Sequence, residues 1–328
     1  MNSRVSKDHQ EIDHDELTES RPGAIGLVLR GLCMGAADVV PGVSGGTMAF
    51  ILGIYERLIA SIRALTQPEF WRPLLKRDWR GAAAAVDITF LLFLGAGILG
   101  AILLLAKPLA WLLENRPVLI WSFFFGLILA SIDVVRRKVR CWTPMIYLLL
   151  VVGAIGAYLL VGLVPVATPE APWFIFLSGA IAICAMILPG ISGSFILVLL
   201  GKYDMILAAL NERRIGVILV FSSGCAVGIL AFSNLLNRLL KKHHDPTVAV
   251  LAGFMLGSLR KVWPWKETLL SMTNRHGKIV PVLERNILPE SGSPEIMIAL
   301  AAAGSGLILV FALEALAARR QAKIEKRD

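Results

Sequence analysis

Two segments of this chain break in the same way: Pro41-Gly42-Val43-Ser44-Gly45 and Pro189-Gly190-Ile191-Ser192-Gly193 each interrupt an apolar stretch, over 23–65 and 173–210. Proline removes a backbone donor and glycine admits φ values closed to other residues, so a helix must stop there and another begin. The match continues without a gap. Leu52-Gly53-Ile54-Tyr55-Glu56 aligns on Leu200-Gly201-Lys202-Tyr203-Asp204. A weaker echo links Gly126-Leu127-Ile128-Leu129-Ala130-Ser131-Ile132 with Gly253-Phe254-Met255-Leu256-Gly257-Ser258-Leu259, so the repeated unit reads as a broken hairpin followed by two helices.

The solvent around these breaks is lipid. Of 328 residues 56% are hydrophobic and only 17% charged, with a mean hydropathy of +0.69, more apolar than a water-soluble chain of this length. Spanning helices are expected over 86–106, 117–135, 144–163, 215–237, 247–262 and 295–318. The formal charge of +9 sits in short clusters between spans, which excludes a nucleic-acid surface. Arg72, Lys76, Arg77 and Arg80, then Arg136, Arg137, Lys138 and Arg140, then Arg238, Lys241 and Lys242, and finally Arg319 to Arg327, mark cytosolic ends. Both termini are therefore expected in the cytosol, and the Lys- and Arg-free loop 164–172 outside.

This count makes the first hairpin enter from the cytosol and the second from the opposite face. The expected fold class is all-α: a polytopic integral membrane protein of inverted repeats, each a re-entrant helical hairpin plus two transmembrane helices, with one connecting helix. Residues 1–22 form a disordered, net acidic cytosolic tail, and 23–318 one membrane domain. Within it lie repeat one (23–135), the connecting helix (144–163), repeat two (173–262) and a final helix (295–318). Residues 319–328 form a basic cytosolic tail.

Non-helical backbone at membrane depth is tolerated only where protein, water or ligand satisfies it. Pro41, Gly42, Pro189 and Gly190 are read as the structural turn. The half-helices after Ser44 and Ser192 present free N–H groups together with the hydroxyls of Ser44, Thr47, Ser192 and Ser194. With Gly45, Gly46 and Gly193 these are the candidate anion-binding residues, phosphate above all. A single copy would read as a packing corner with a serine cap; two copies at the centres of inverted repeats favour a site. Arg30, Arg57 and Lys202 are candidates for balancing the anion's charge, and Asp38, Glu56 and Asp204 for carrying a coupling proton. For Arg57, Lys202 and Asp204 the competing reading is a charge near a helix end that snorkels to the interface.

Other chemistries find less support. Cys33, Cys141, Cys184 and Cys225 have no metal or disulfide spacing, and all five histidines lie in the tail or in polar loops. No metal or cofactor is expected. The Gly-x-Ser-Gly letters also match a serine-hydrolase nucleophile, but no histidine lies at membrane depth to activate Ser44 or Ser192. Gly95, Gly97, Gly100, Gly153, Gly156, Gly224 and Gly228 read as close helix contacts.

The run from Gly35 to Thr47, its continuation Gly53-Ile54-Tyr55-Glu56-Arg57, and Leu188 to Ser194 closely resemble the bacterial polyprenyl-phosphate transporter family PopT, over nearly the whole chain after the tail. The resemblance implies a non-catalytic translocase. It would return undecaprenyl phosphate from the outer to the inner leaflet of the bacterial cytoplasmic membrane, so that the carrier lipid is used again. The partners expected are that lipid and the membrane, with self-association into a homo-oligomer also compatible. A secondary transporter of a small soluble anion is the alternative, and an intramembrane serine hydrolase a weaker one.

Overall fold

The computed structural model describes residues 23–40, 43–166, 168–273, 279–290 and 292–325, and their side chains except at 270–273, 279–283 and 317–325. Of the expected tails, 1–22 and the last three residues of 319–328 lie outside the described residues, as do Pro41 and Gly42, and 319–325 continue the final helix.

The first half runs α1 (Ala24–Val39), α2 (Gly45–Ile51), α3 (Tyr55–Ala64), two short helices α4 (Pro68–Leu75) and α5 (Trp79–Ala85), then α6 (Ile88–Asn115), α7 (Pro117–Arg136) and α8 (Pro144–Leu160). The second runs α9 (Pro172–Ile187), α10 (Gly193–Leu199), α11 (Tyr203–Asn211), α12 (Ile215–Lys242), α13 (His244–Ser258), strands β1 (Lys266–Thr273) and β2 (Ile279–Asn286), and α14 (Pro294–Glu325). The strands form a small antiparallel ribbon in the stretch between the expected span 247–262 and the expected final helix 295–318.

Four helices, α6, α7, α12 and α14, are long and apolar enough to cross a bilayer, and the protein is a multi-pass membrane protein. α6 and α12 have 28 residues each, about 42 Å of helix. α6 continues past the expected end at Ala106 through Lys107 and Pro108. The other two expected spans are shorter: α8 has 17 residues and α13 has 15, about 26 and 23 Å.

The two breaks are built alike. In each half a long helix meets a seven-residue half-helix that folds back against it, α2 on α1 and α10 on α9. The following helix then turns sharply, by 116° from α2 to α3 and by 107° from α10 to α11. This is the geometry of a re-entrant hairpin. Each half-helix is stopped by the aligned Leu-Gly pair. Gly53 and Gly201 take φ of +68° and +61°. The Gly53 N–H donates to Phe50 O and the Ile54 N–H to Ala49 O; Gly201 and Lys202 do the same to Val198 O and Leu197 O. A left-handed glycine with these two bonds is the Schellman stop, which an L side chain would strain.

Glycines also set which long helices touch. A Cβ on Gly31 would strike the backbone of α6, and one on Gly97 that of α1; Gly179 and Gly224 stand in the same relation between α9 and α12. Gly126 and Gly306 bring α7 onto α14, and Gly153 and Gly253 bring α8 onto α13. Each half therefore pairs its own first helix with its own first long span, and the remaining helices pair between halves. Of the seven glycines expected at close contacts, Gly97, Gly153, Gly224 and Gly228 are there; Gly100 makes only an ordinary contact, and Gly95 and Gly156 face open space.

Candidate functional site

The first turn is capped twice. Ser44 precedes α2 as its N-cap, and its hydroxyl accepts the N–H of Gly46 at 3.1 Å. Asp38, reaching from α1, accepts the N–H of Gly45 at 2.7 Å. A side chain at Gly45 would collide with that carboxylate, so glycine there is what lets the acid in. The negative charge faces the positive end of α2, a favourable arrangement. At the aligned position the second half has Met186, whose side chain lies beside Gly193 instead. There the hydroxyls of Ser192 and Ser194 bond to each other at 2.7 Å.

The two turns meet in the core. The Ser44 hydroxyl lies 3.2 Å from Met186 O and 3.1 Å from Leu188 O, carbonyls at the end of α9 that share its one proton. Thr47 accepts the N–H of Gly190 at 3.0 Å, and the Tyr55 hydroxyl donates to Ile187 O at 3.2 Å. Gly46 sits so close to Ile187 that a Cβ would be 2.5 Å from its carbonyl oxygen. Ser44, Thr47 and Tyr55 are at most 1% exposed. Buried backbone groups freed by one broken helix are thus satisfied by side chains of the other. Gly190 has its own reason to be glycine: φ is +86°, and a Cβ would press on Ser258 and Met255 of α13.

The charged residues expected at the site spread out. The Arg30 Nε donates to Leu52 O at 3.3 Å, so it stands at the carboxyl end of α2. Lys202, 2% exposed, holds the matching place in the second half through Thr168: its Nζ donates to Thr168 O at 2.8 Å, and the Thr168 hydroxyl donates to Leu200 O. Arg57 is held by Asp87 through Nε at 2.8 Å and Nη2 at 2.7 Å, and lies over the Phe90 ring. The Glu56 side chain is 61% exposed, 3.9 Å from His244 at the start of α13, and Asp204 is exposed as well. Asp38, Ser44, Gly45, Gly46 and Thr47 are brought together with the end of α9; Arg30, Arg57, Lys202, Glu56 and Asp204 lie elsewhere.

Two lysines that sequence reasoning did not single out as site residues lie against the half-helices. Lys138, just past α7, has its Nζ 5.5 Å from the centre of the Phe50 ring of α2. Lys261, just past α13, has its Nζ 5.5 Å from the centre of the Phe195 ring of α10. The available signal was positional, since each follows the aligned pair of helices that the Gly-Ser echo marks, but Lys138 also belongs to a basic cluster that topology alone accounts for.

Among the described residues the hydroxyls of Ser44 and Ser192 bond only to backbone groups and to Ser194, with no histidine or lysine in reach.

The chain has known relatives. It is 47% identical over 266 residues, 80% of its own length and 84% of the relative's, to the polyprenyl-phosphate transporter of Vibrio cholerae serotype O1. It is 30% identical over 263 residues, 75% and 88% of the two lengths, to the polyprenyl-phosphate transporter of Staphylococcus aureus. No solved structure matches it. The family model described as undecaprenyl phosphate translocase-like matches residues 34–280, a range that takes in both turns, all the long helices but α14, and the start of the ribbon. Both turns thus fall within the matched region, and the chain belongs to the undecaprenyl phosphate translocase-like family.

Proposed function

We propose that this chain transports polyprenyl phosphate, carrying undecaprenyl phosphate from the outer to the inner leaflet of the bacterial cytoplasmic membrane with a proton as coupling ion. The observation that supports it best is the meeting of the two broken helices through Ser44, Thr47 and Tyr55. A phosphate on a long apolar tail needs polar backbone at membrane depth for its headgroup while the tail stays in lipid, and broken helices at a repeat interface are where transporters provide this. The substrate itself is read from the names of the relatives.

In this reading both termini are cytosolic. Three crossings, α6, α7 and α8, separate the hairpins, so the first opens to the cytosol and the second to the outside. The pairing of α7 with α14 and of α8 with α13 supports the inversion, because it gives the connecting helix and the final helix equivalent places. The anion would then meet the Ser192 to Ser194 turn in preference to the first, where Asp38 already takes the N–H of Gly45 and Ser44 that of Gly46. Asp38 is the coupling carboxylate in this scheme. Purified protein in vesicles should move undecaprenyl phosphate between leaflets, faster with a proton gradient than without. Uptake of a soluble anion with no change in lipid sidedness would refute the lipid reading in favour of the soluble-anion alternative.

A further inference from the structure

Lys138 and Lys261 occupy corresponding places. Each lies within a few residues of the end of the second spanning helix of its half, α7 or α13, and each turns back so that its ammonium sits 5.5 Å from an aromatic ring on the half-helix of the same half. The rings are at different positions, Phe50 late in α2 and Phe195 early in α10, so the resemblance is not a by-product of the aligned motif. A cation within about 6 Å of a ring face is attracted by it. The ring holds the ammonium beside the half-helix without taking up its hydrogen-bond donors.

The surroundings keep positive charge in excess. Among the described residues no carboxylate pairs with Lys138. Lys261 shares the Glu284 carboxylate, 3.3 Å away, with Lys266, 3.5 Å away. Lys266 is fixed in place: its Nζ donates to Lys261 O at 2.8 Å and stands 4.3 Å from the centre of the Trp121 ring of α7. Burial pushes the Lys266 ammonium down to about 8, with Glu284 opposing and Lys261 adding to the fall. At neutral pH two cations therefore face one carboxylate. One net positive charge remains, and the Lys261 side chain, 25% exposed, is the accessible member.

We infer that Lys261 and Lys138 are two headgroup stations for the phosphate of a lipid monophosphate, Lys261 at the mouth of the second hairpin and Lys138 at the mouth of the first. This rests on the transport reading above and adds to it where the substrate is taken up and released. A phosphate dianion matches the surplus charge, and an ammonium has three donors for its oxygens, one of which Glu284 takes at Lys261. Glu284 limits the strength of the outer station, which suits a site that must also let its ligand go.

The test uses the full chain, inserted in one orientation in phosphatidylethanolamine and phosphatidylglycerol vesicles, with undecaprenyl phosphate supplied at either face. The readout is the ratio of the half-saturating lipid concentrations at the outer and inner faces. Lys261→Gln should raise that ratio and Lys138→Gln should lower it, each by more than about threefold. Lys261→Arg and Lys138→Arg should restore it, and Glu284→Gln should lower it by strengthening the outer station. Ratios shifting by less than this, or in the same sense for both glutamine variants, would overturn the stations. Because Lys138 is half-buried and follows the helix, its variants keep the test alive should Lys261→Gln not fold. Inorganic phosphate at tenfold excess should not displace the lipid; displacement would overturn the assignment to a lipid headgroup. If the unaltered protein moves no undecaprenyl phosphate at all, the transport reading fails. If it does and the ratios stay put, only the stations fail.

Discussion

Thr47 accepts the N–H of Gly190 in a place with no exposure, so removing its hydroxyl leaves a buried donor unsatisfied. Thr47→Val should lower stability by about 1–3 kcal/mol, and Thr47→Ser should retain most of it; thermal unfolding in detergent distinguishes the two. Asp38 combines a capping bond with a charge, and its variants separate these. Asp38→Asn keeps an oxygen for the N–H of Gly45 and should fold normally, yet lose the acceleration by a proton gradient if Asp38 carries the proton. Asp38→Leu loses the cap as well and should also melt lower, by roughly 1 kcal/mol. An asparagine variant that still responds fully to the gradient would assign Asp38 to capping alone. The sequence made Ser44 legible as a cap because the partner is two residues away. That the same hydroxyl is spent on Met186 and Leu188, more than 140 residues on, leaves no local pattern to read. The same holds for Arg57, whose partner Asp87 lies in a left-handed turn 30 residues later.

Helix breaks were the most legible elements because proline, glycine and serine act over a few residues. The Leu-Gly stops were visible as an aligned pair, and the Schellman bonds show why alignment persisted there. Gly53→Ala and Gly201→Ala should each cost about 1 kcal/mol, the strain of an L residue at positive φ. Gly224→Ala, where a Cβ would strike the Phe176 carbonyl, should cost more, about 1–3 kcal/mol or a shifted α9. Gly156→Ala, facing open space, should cost nothing measurable; chemical or thermal unfolding of the four variants side by side gives the order. Glycine spacing therefore identifies small residues but not which face a partner covers. The ribbon was hidden for a different reason. Pro281 lies within β2, and the register slips near Leu270, so neither strand shows clean alternation. The span expected over 86–106 ends before Lys107 and Pro108, whereas α6 carries both and runs to Asn115.

The exchange of helices between halves is what binds the molecule into one body. α7 lies on α14 and α13 on α8, so the glycine-lined contacts of these four helices close only between the halves, and the two hairpins are pressed together at the centre. Such an arrangement follows from two related units facing each other across a two-fold axis, and with α8 crossing as proposed, three crossings between them would set that axis in the bilayer plane. Aligned residues of the two repeats should then emerge on opposite faces. Glu56 and Asp204, aligned and both exposed, offer the direct check. With Cys33, Cys141, Cys184 and Cys225 replaced, a membrane-impermeant maleimide added to intact cells should label Asp204→Cys, and should label Glu56→Cys only once the membrane is opened. Arg80→Cys in α5 and Arg285→Cys in β2, both at exposed positions, calibrate the inner and outer faces. Labelling of both aligned positions from the same face would mean that the repeats run parallel. The hairpins would then open to one side only, and two stations on opposite faces would have no structural basis.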